Sequence, residues 1–476
     1  MNVSLDNYKP VLPKVKAAIA EADFVAIDCE LTGLQLAEHQ LSLLDNPQHR
    51  YGKLRKAAQA YRVIQLGADA EAQSKVHAEE TVYVARPFNF YVFPREHGEL
   101  GRRDSNFTVN TGSMAFLAGQ GFDFNQLIYK GIPHWNNRQE AAAMERTAGN
   151  RQKADIPEDD QNRDYIKETI EAIDTWLQQS SERTMTVAAS NGYYRRLVYQ
   201  IVRNKYNGFL VAQGKDMAVE VKRLTVEERE TVAKHAGNVS ARAALIDVDN
   251  VSDVVRAIVK ARKPLVGHNC LTDICHIMQH FWDDLPESVE TWKQTIRELW
   301  DRVIDTKYLA HHHTHLSTIG NTALGSLVAT TSVAPFKNVC AKIVFADGFD
   351  RYIGASDQYL HEAGYDAYCT GAILLRMACF APHVSQQSIM DILDENSILR
   401  CTNKLYLMRS ELRYLDLAEN EQVPSISDPT FIVSGVPRHL RTDDLRRMLV
   451  SLGAADVRWV DEARCRITLR NADAVS

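Results

Sequence analysis

At 476 residues and 45% apolar content, the chain is long enough for two or three domains with ordinary cores. Its net charge of −6 argues against a protein that coats nucleic acid non-specifically, but local Lys/Arg clusters or bound cations can still receive phosphates. Eight scattered cysteines without a Cys-x-x-Cys pair indicate neither a zinc ribbon nor a disulfide framework. The N-terminus MNVSLDNYKP has no signal-peptide core, and the apolar run near Ala372–Phe380 is short and broken by Arg376, so no membrane span is expected.

The first segment reads as α/β. The apolar run Phe24–Ile27 predicts a strand that ends in Asp28-Cys29-Glu30, and further strands are expected near Tyr61–Gly67 and Thr81–Phe93. Residues two apart on a strand point to the same side, so Asp28 and Glu30 project together and repel unless a cation lies between them. Hard oxygen ligands suit magnesium or manganese. The alternative for such a pair alone is a solvated strand end.

Residues Arg138 to Asp164 are polar and read as a linker, followed by a helix with Ile166, Ile170, Ile173 and Leu177 on one face. A small inserted domain is expected from there to about Ala244. Its Tyr193–Tyr199 and Arg203–Tyr206 stretches mix cations with aromatics, which suits phosphate contact and base stacking or, equally, a solvated amphipathic helix. Thr225-x-x-Glu228 reads as a capping box.

The first domain resumes near Leu245, with a packed helix through Val251, Val254, Val255, Ile258 and Val259 and a short strand at Pro264–Val266. Asp273 falls on the helix after Gly267-His268-Asn269, where Asn269 also reads as an N-cap. His361-Glu362-Ala363-Gly364-Tyr365-Asp366 follows, and Gly364 suggests a loop that lets His361 and Asp366 reach one centre. Glu419 to Asp428 is a linker candidate. Phe431–Gly435, a helix near Thr442–Leu452 and strands near Val457–Val460 and Cys465–Leu469 have the order of an RNA recognition motif (RRM) cut short at Ser476. Its third strand lacks the paired aromatics that stack bases. The expected parts are 1–150 and 245–415 for the divided domain, 160–244 for the insert and 428–476 for the RRM-like end.

Asp-x-Glu, then Asp, then His-x4-Asp is the order of the DEDDh class of 3′→5′ exonucleases. Ala26–Gly33, Phe88–Pro94, Phe116–Pro133, Leu265–Asn269, Asp305–Lys307 and His361–Tyr368 resemble the poly(A)-specific ribonuclease family. The resemblance implies an RNase H-like α/β exonuclease domain with an inserted small nucleic-acid-binding domain and a C-terminal RRM-like domain. It implies shortening of mRNA poly(A) tails with release of 5′-AMP, homodimer formation, no membrane association, and a place in cytoplasm and nucleus.

The expected chemistry is two-metal hydrolysis with two Mg2+ ions, or Mn2+ as a substitute. Asp28, Glu30 and Asp366 would hold one ion, with Asp28 bridging to a second that Asp273 completes, and His361 would be the general base. Leu31, Leu34 and Asn269 are expected at the terminal nucleotide of the RNA. Trp459 matches a tryptophan that stacks on the 5′ mRNA cap in the family, or else fills a small core.

Two departures stand out. The Arg-x3-His signature of the family's insert is absent, since Tyr199 follows Arg195 by four residues. Leu316 stands where the family carries a lysine that contacts poly(A), beside His311, His312, His313 and His315, which read as a solvated loop or a partial substitute. The alternatives are a 3′-end trimmer of small RNAs such as piRNA precursors, whose family members end in a membrane helix, and an inactive RNA-binding scaffold, which the complete set of carboxylates opposes.

Overall fold

The computed structural model describes residues 1–76, 80–94, 106–143, 155–215, 218–225, 228–229, 249–316, 319–338, 342–354, 357–381, 388–419, 430–449 and 455–469. They fall into two compact units. One holds Met1–Phe93, Asn106–His134 and Val251–Ser476; the other holds Pro94–Ser105 and Trp135–Asn250. The chain leaves the first unit at His134 and rejoins it at Val251, whose N–H donates to the Pro133 carbonyl at 3.0 Å.

The first unit opens with β1 (Asn2–Val3), β2 (Phe24–Leu31), β3 (Val63–Val76), β4 (Glu80–Ala85) and β5 (Pro87–Tyr91). Phe24 to Ile27 are buried without alternation, as expected of a strand covered on both faces. The second unit contributes β6 (Thr184–Ala188), β7 (Leu210–Lys215) and β8 (Ala218–Arg223). Back in the first unit come β9 (Leu265–Gly267), β10 (Val303–Asp305), β11 (Lys342–Phe345), β12 (Lys404–Tyr406) and β13 (Tyr414–Asp416).

The main sheet runs β1-β5-β3-β2-β9-β10, and β3 extends beyond it to pair with β4, which carries β11. β3 is antiparallel to β2, β4 and β5, whereas β2, β9 and β10 are parallel. This is a mixed α/β architecture with β2 at its centre.

β3 continues nine residues past Gly67, where the sequence suggested its end. Asp69 and Glu71, beyond the expected end of the strand, are fully buried. Burial raises both carboxyls, Asp69 to about 6, so that the pair interacts with a proton retained and stays in the strand. The expected strand Thr81–Phe93 is two strands, separated at Arg86.

The helix Ala363–Phe380 lies against β2 and β3 and is buried nearly all round. The apolar run near its C-terminal end is thus an interior helix; among the described residues no helix is long and apolar enough to cross a membrane. The approach is very close. A Cβ on Gly67 would sit 1.9 Å from the Ala363 carbonyl oxygen, and one on Gly364 would sit 2.6 Å from the Asn89 Cβ. Two sheet side chains satisfy the first N–H groups of this helix: Gln65 Oε1 accepts from Ala363 at 3.2 Å and Asn89 Oδ1 accepts from Gly364 at 3.1 Å.

In the second unit, β6-β8-β7 form an antiparallel sheet packed with the helices Arg163–Gln179 and Gly192–Lys205 around Ile173, Val198, Val219 and Val221. The expected linker is only partly irregular. Residues 137–143 are helical, and Ile156 is tied down because the Gln200 carboxamide both accepts from its N–H at 2.8 Å and donates to its carbonyl at 2.9 Å. Thr225 and Glu228 exchange the two bonds of a capping box, at 2.7 and 3.1 Å.

The C-terminal part holds β14 (Thr430–Ser434), β15 (Ala455–Trp459) and β16 (Arg464–Leu469) in the order β14-β16-β15, all antiparallel. The helix Thr442–Met448 packs on this sheet through Leu445, with Val436, Val457, Cys465 and Ile467 in the small core.

Gly67→Ala is expected to destabilise the protein by about 3 kcal/mol through overpacking under the helix. Gly52→Ala, in mid-helix with nothing within 4 Å of the added carbon, should gain about 0.5–1 kcal/mol. Thermal melts of the two variants read the difference directly; equal melting points would show that the helix does not rest on β3 at Gly67.

Candidate active site

β2 ends with Asp28 and Glu30 on one side and Cys29 turned into the core on the other. Opposite them on β3 stand Gly67 and Gln65. The parallel neighbour β9 leads through a tight turn into the helix Leu271–Ile277, which carries Asp273. Asn269 takes a left-handed φ of 56° in that turn, a conformation asparagine tolerates better than most residues.

The turn is anchored by Asp305, a fully buried carboxylate that the sequence-derived set omits. Its Oδ1 accepts from the N–H of Asn269 at 2.9 Å, Lys307 at 3.0 Å and Tyr308 at 3.3 Å, while Oδ2 accepts from Tyr406 at 3.0 Å. It therefore caps the helix Thr306–His312 and fixes the turn before Asp273 together. The signal available in the sequence was an Asp immediately before an apolar-periodic helix.

His361 and Asp366 reach the site differently from the expected loop. Gly364 lies inside the first turn of the helix, where its missing side chain admits Asn89. His361 stands just before the helix with a left-handed φ of 68°, and its N–H donates to Asp366 Oδ2 at 3.1 Å. Its ring meets Phe116 edge-on with centroids 4.7 Å apart. The neighbouring Glu362 is gripped by Arg351 through two bonds of 2.8 and 2.6 Å and by the Tyr352 hydroxyl. Strain of this kind persists only where surroundings over-determine it.

Glu30, His361 and Asp366 each bring one ligand atom within 4.8 Å of the others. Burial raises the Asp28 carboxyl well above the usual range, and Asp366, Asp273 and Glu30 raise it further by repulsion. Glu30 is raised by burial and then by Asp366 and Asp273. Burial likewise takes Asp273 and Asp366 to about 7, although the His361 N–H partly offsets the effect at Asp366. Asp366 Oδ1 is buried and accepts no hydrogen bond. Hard oxygen donors crowded in this way, one with an unused lone pair, fit a divalent cation such as magnesium.

Asp273, alone of these carboxylates, lines a cleft of about 170 Å³. Leu31, Leu34 and Asn269 all line it, together with Asp273 and Tyr406. Trp459 is not among its walls. It sits in the C-terminal sheet, packed on the small core, and its indole N–H donates to Thr442 Oγ1 at 3.0 Å. Leu316 is fully buried in a core cluster with Leu309 and Leu327. Of the histidines beside it, His311 and His312 end the helix Thr306–His312 and His313 is buried, whereas His311 and His315 are exposed as expected, His311 bonding Thr322 Oγ1 at 2.8 Å and His315 the Ala381 carbonyl at 2.5 Å.

The model of the CAF1 family ribonuclease matches residues 3–374. The chain is 30% identical over 501 residues to Poly(A)-specific ribonuclease PARN of Xenopus laevis, covering 100% of this chain and 78% of that protein. It is 31% identical over 391 residues to Poly(A)-specific ribonuclease PNLDC1 of Mus musculus, covering 79% of this chain and 71% of that one. Among solved structures, S. pombe Pop2p in its Mg2+ and Mn2+ bound form is similar with a TM-score of 0.39 at 12% identity, over 85% of this chain and 98% of that chain. With the family model spanning most of its length and a relative of this identity along all of it, the protein belongs to the CAF1 ribonuclease family.

Proposed function

We propose that the chain is a magnesium-dependent 3′→5′ exoribonuclease of RNase H-like fold that shortens poly(A) tails and releases 5′-AMP. The observation that carries this reading is the convergence of Asp28, Glu30, Asp273 and Asp366 with His361, of which Asp273 lines the cleft. The names of the relatives from Xenopus laevis and Mus musculus support poly(A) as the substrate.

In the proposed reaction a water attacks the last phosphodiester, the P–O bond to the penultimate 3′-oxygen breaks, and that oxygen is protonated as it leaves. Asp28, Glu30, Asp273 and Asp366 would hold the divalent ions. Once bound, such cations neutralise phosphoryl oxygens and acidify water. His361 is the general base. Burial lowers its pKa, so the imidazole is neutral and able to accept the water's proton at physiological pH. The Asp366 carboxylate, by accepting the His361 N–H, holds that residue in its left-handed backbone beside Glu30. Leu31, Leu34 and Asn269 position the terminal nucleotide along the cleft wall.

Three measurements test this reading. First, 5′-labelled RNAs ending in adenosines or uridines are digested with Mg2+ by wild type and Asp28→Ala. Stepwise loss of the adenosine tail alone, absent in the variant, is expected. Equal trimming of both tails would instead favour the small-RNA trimming activity.

Second, His361→Gln should lower kcat by roughly 10²- to 10⁴-fold while RNA affinity changes little. A variant that loses affinity and keeps kcat would remove His361 from the chemistry.

Third, metal-free stability should depend on pH in a defined direction. Carboxyls whose pKa values are raised from 3.8 to about 7 bind more protons folded than unfolded between those values, so their contribution to stability falls as pH rises through that window. In EDTA the melting point should be lower at pH 8 than at pH 6. Asp28→Asn should raise the pH 8 value, and Mg2+ should raise it in wild type by mass action on the folded state. A wild-type protein indifferent to both pH and Mg2+ would rule out the carboxylate cluster as a cation site.

A further inference from the structure

Part of the cleft wall comes from outside the sheet that carries the carboxylates. Tyr406, at the end of β12, lines the cleft with Leu31, Leu34 and Met408. The ring is half-buried and held in place. Its backbone N–H donates to Asp305 Oδ2 at 3.0 Å. The ring lies parallel to His311, with centroids 5.0 Å apart and planes 8° apart. The Lys307 ammonium lies 5.5 Å from the ring centroid.

Lys307 and His311 are four residues apart on the helix Thr306–His312, so they share one face of it. Both also bond Thr322, Lys307 Nζ at its carbonyl (3.3 Å) and His311 Nε2 at its hydroxyl (2.8 Å). They therefore back the Tyr406 ring from the same side, and Tyr406 also lines the cleft. The following segment is fixed as well. The buried Arg50 guanidinium donates to the carbonyls of Met408 at 3.1 Å, Arg409 at 2.9 Å and Ser42 at 3.1 Å. An aromatic ring held from one side by a helix and lining a cleft is a preformed stacking platform for a base of single-stranded nucleic acid.

We propose that Tyr406 stacks on a nucleobase at or next to the 3′ end of the RNA, which makes the β12–β13 hairpin part of the substrate site. The proposal rests on the ribonuclease reading above. It concerns affinity and not bond cleavage, because Tyr406 brings no group to the reacting phosphate. A π-face stacks on any base, so Tyr406 would contribute affinity that is largely independent of base identity.

The test uses the full chain and oligoadenylates carrying 2-aminopurine at the last or the second-to-last position. Fluorescence quenching is read with calcium in place of magnesium, and steady-state hydrolysis with magnesium. Tyr406→Phe keeps the π-face and should quench as wild type does. Tyr406→Leu keeps an apolar side chain against the core but has no π-face. It should lose the quenching at one of the two positions and raise KM by roughly 5- to 100-fold, with a smaller change in kcat.

A Leu variant that melts like wild type and shows wild-type quenching and KM would overturn the proposal. If wild type trims oligoadenylate and the Leu variant does so with unchanged KM, the platform falls and the ribonuclease reading stands. If wild type cleaves no RNA yet quenches 2-aminopurine through Tyr406, the platform stands and that reading falls.

Discussion

Like charges in a low-dielectric site are the constraint on which the rest of this structure depends. Asp28, Glu30, Asp273 and Asp366 come from the end of β2 and two separate helices, and burial together with mutual repulsion disfavours their ionised forms. No flexible framework would hold such a set together. Here the framework is rigid: β2 is buried on both faces, and the helix bearing Asp366 is pressed onto the sheet with no room for a methyl group at Gly67. The helix start is hydrogen-bonded by Gln65 and Asn89 from the sheet itself. Packing thus imposes an arrangement that electrostatics alone would disperse, and cations are the natural means of relieving it.

Asp305 does the corresponding work on the other side of the site. One buried carboxylate accepts from four backbone N–H groups, and through them it joins the Asn269 turn, the helix Thr306–His312 and the β12 segment that ends in Tyr406. Burial raises its pKa and those four bonds act against that, so Asp305 serves as a backbone anchor beside the cluster. The cleft wall and the carboxylates are in this way fixed to the same point.

The sequence makes the reacting groups easier to find than what holds them. Asp28 and Glu30 are legible because an unbroken apolar run sets the strand and a period of two sets their common side. His361 and Asp366 are legible as a spaced pair, but the geometry inferred from Gly364 was not. The glycine serves a close approach inside a helix, and the unusual backbone is at His361 itself. The course of β3 past Gly67 was hidden for a related reason: Asp69 and Glu71 look like surface residues until burial and a retained proton are taken into account. Asp305, Arg50 and Tyr406 act through partners distant in sequence, and local pattern carries no trace of such pairings.

The hydrogen bond from Val251 to Pro133 bears on how this protein is made. It joins the two points where the chain leaves and re-enters the first unit, so everything between them is a closed excursion that adds little closure entropy to the folded state. The cost appears during synthesis. β2 emerges early with β3 and β5, but its parallel partner β9 is translated only after the whole excursion. Until then one edge of the central, doubly apolar strand has no neighbour, and a strand in that condition is a template for pairing with other chains. The nascent chain therefore passes through an interval of aggregation risk as long as the excursion takes to translate, an interval set by the length of Trp135–Asn250 and independent of the stability of the finished fold.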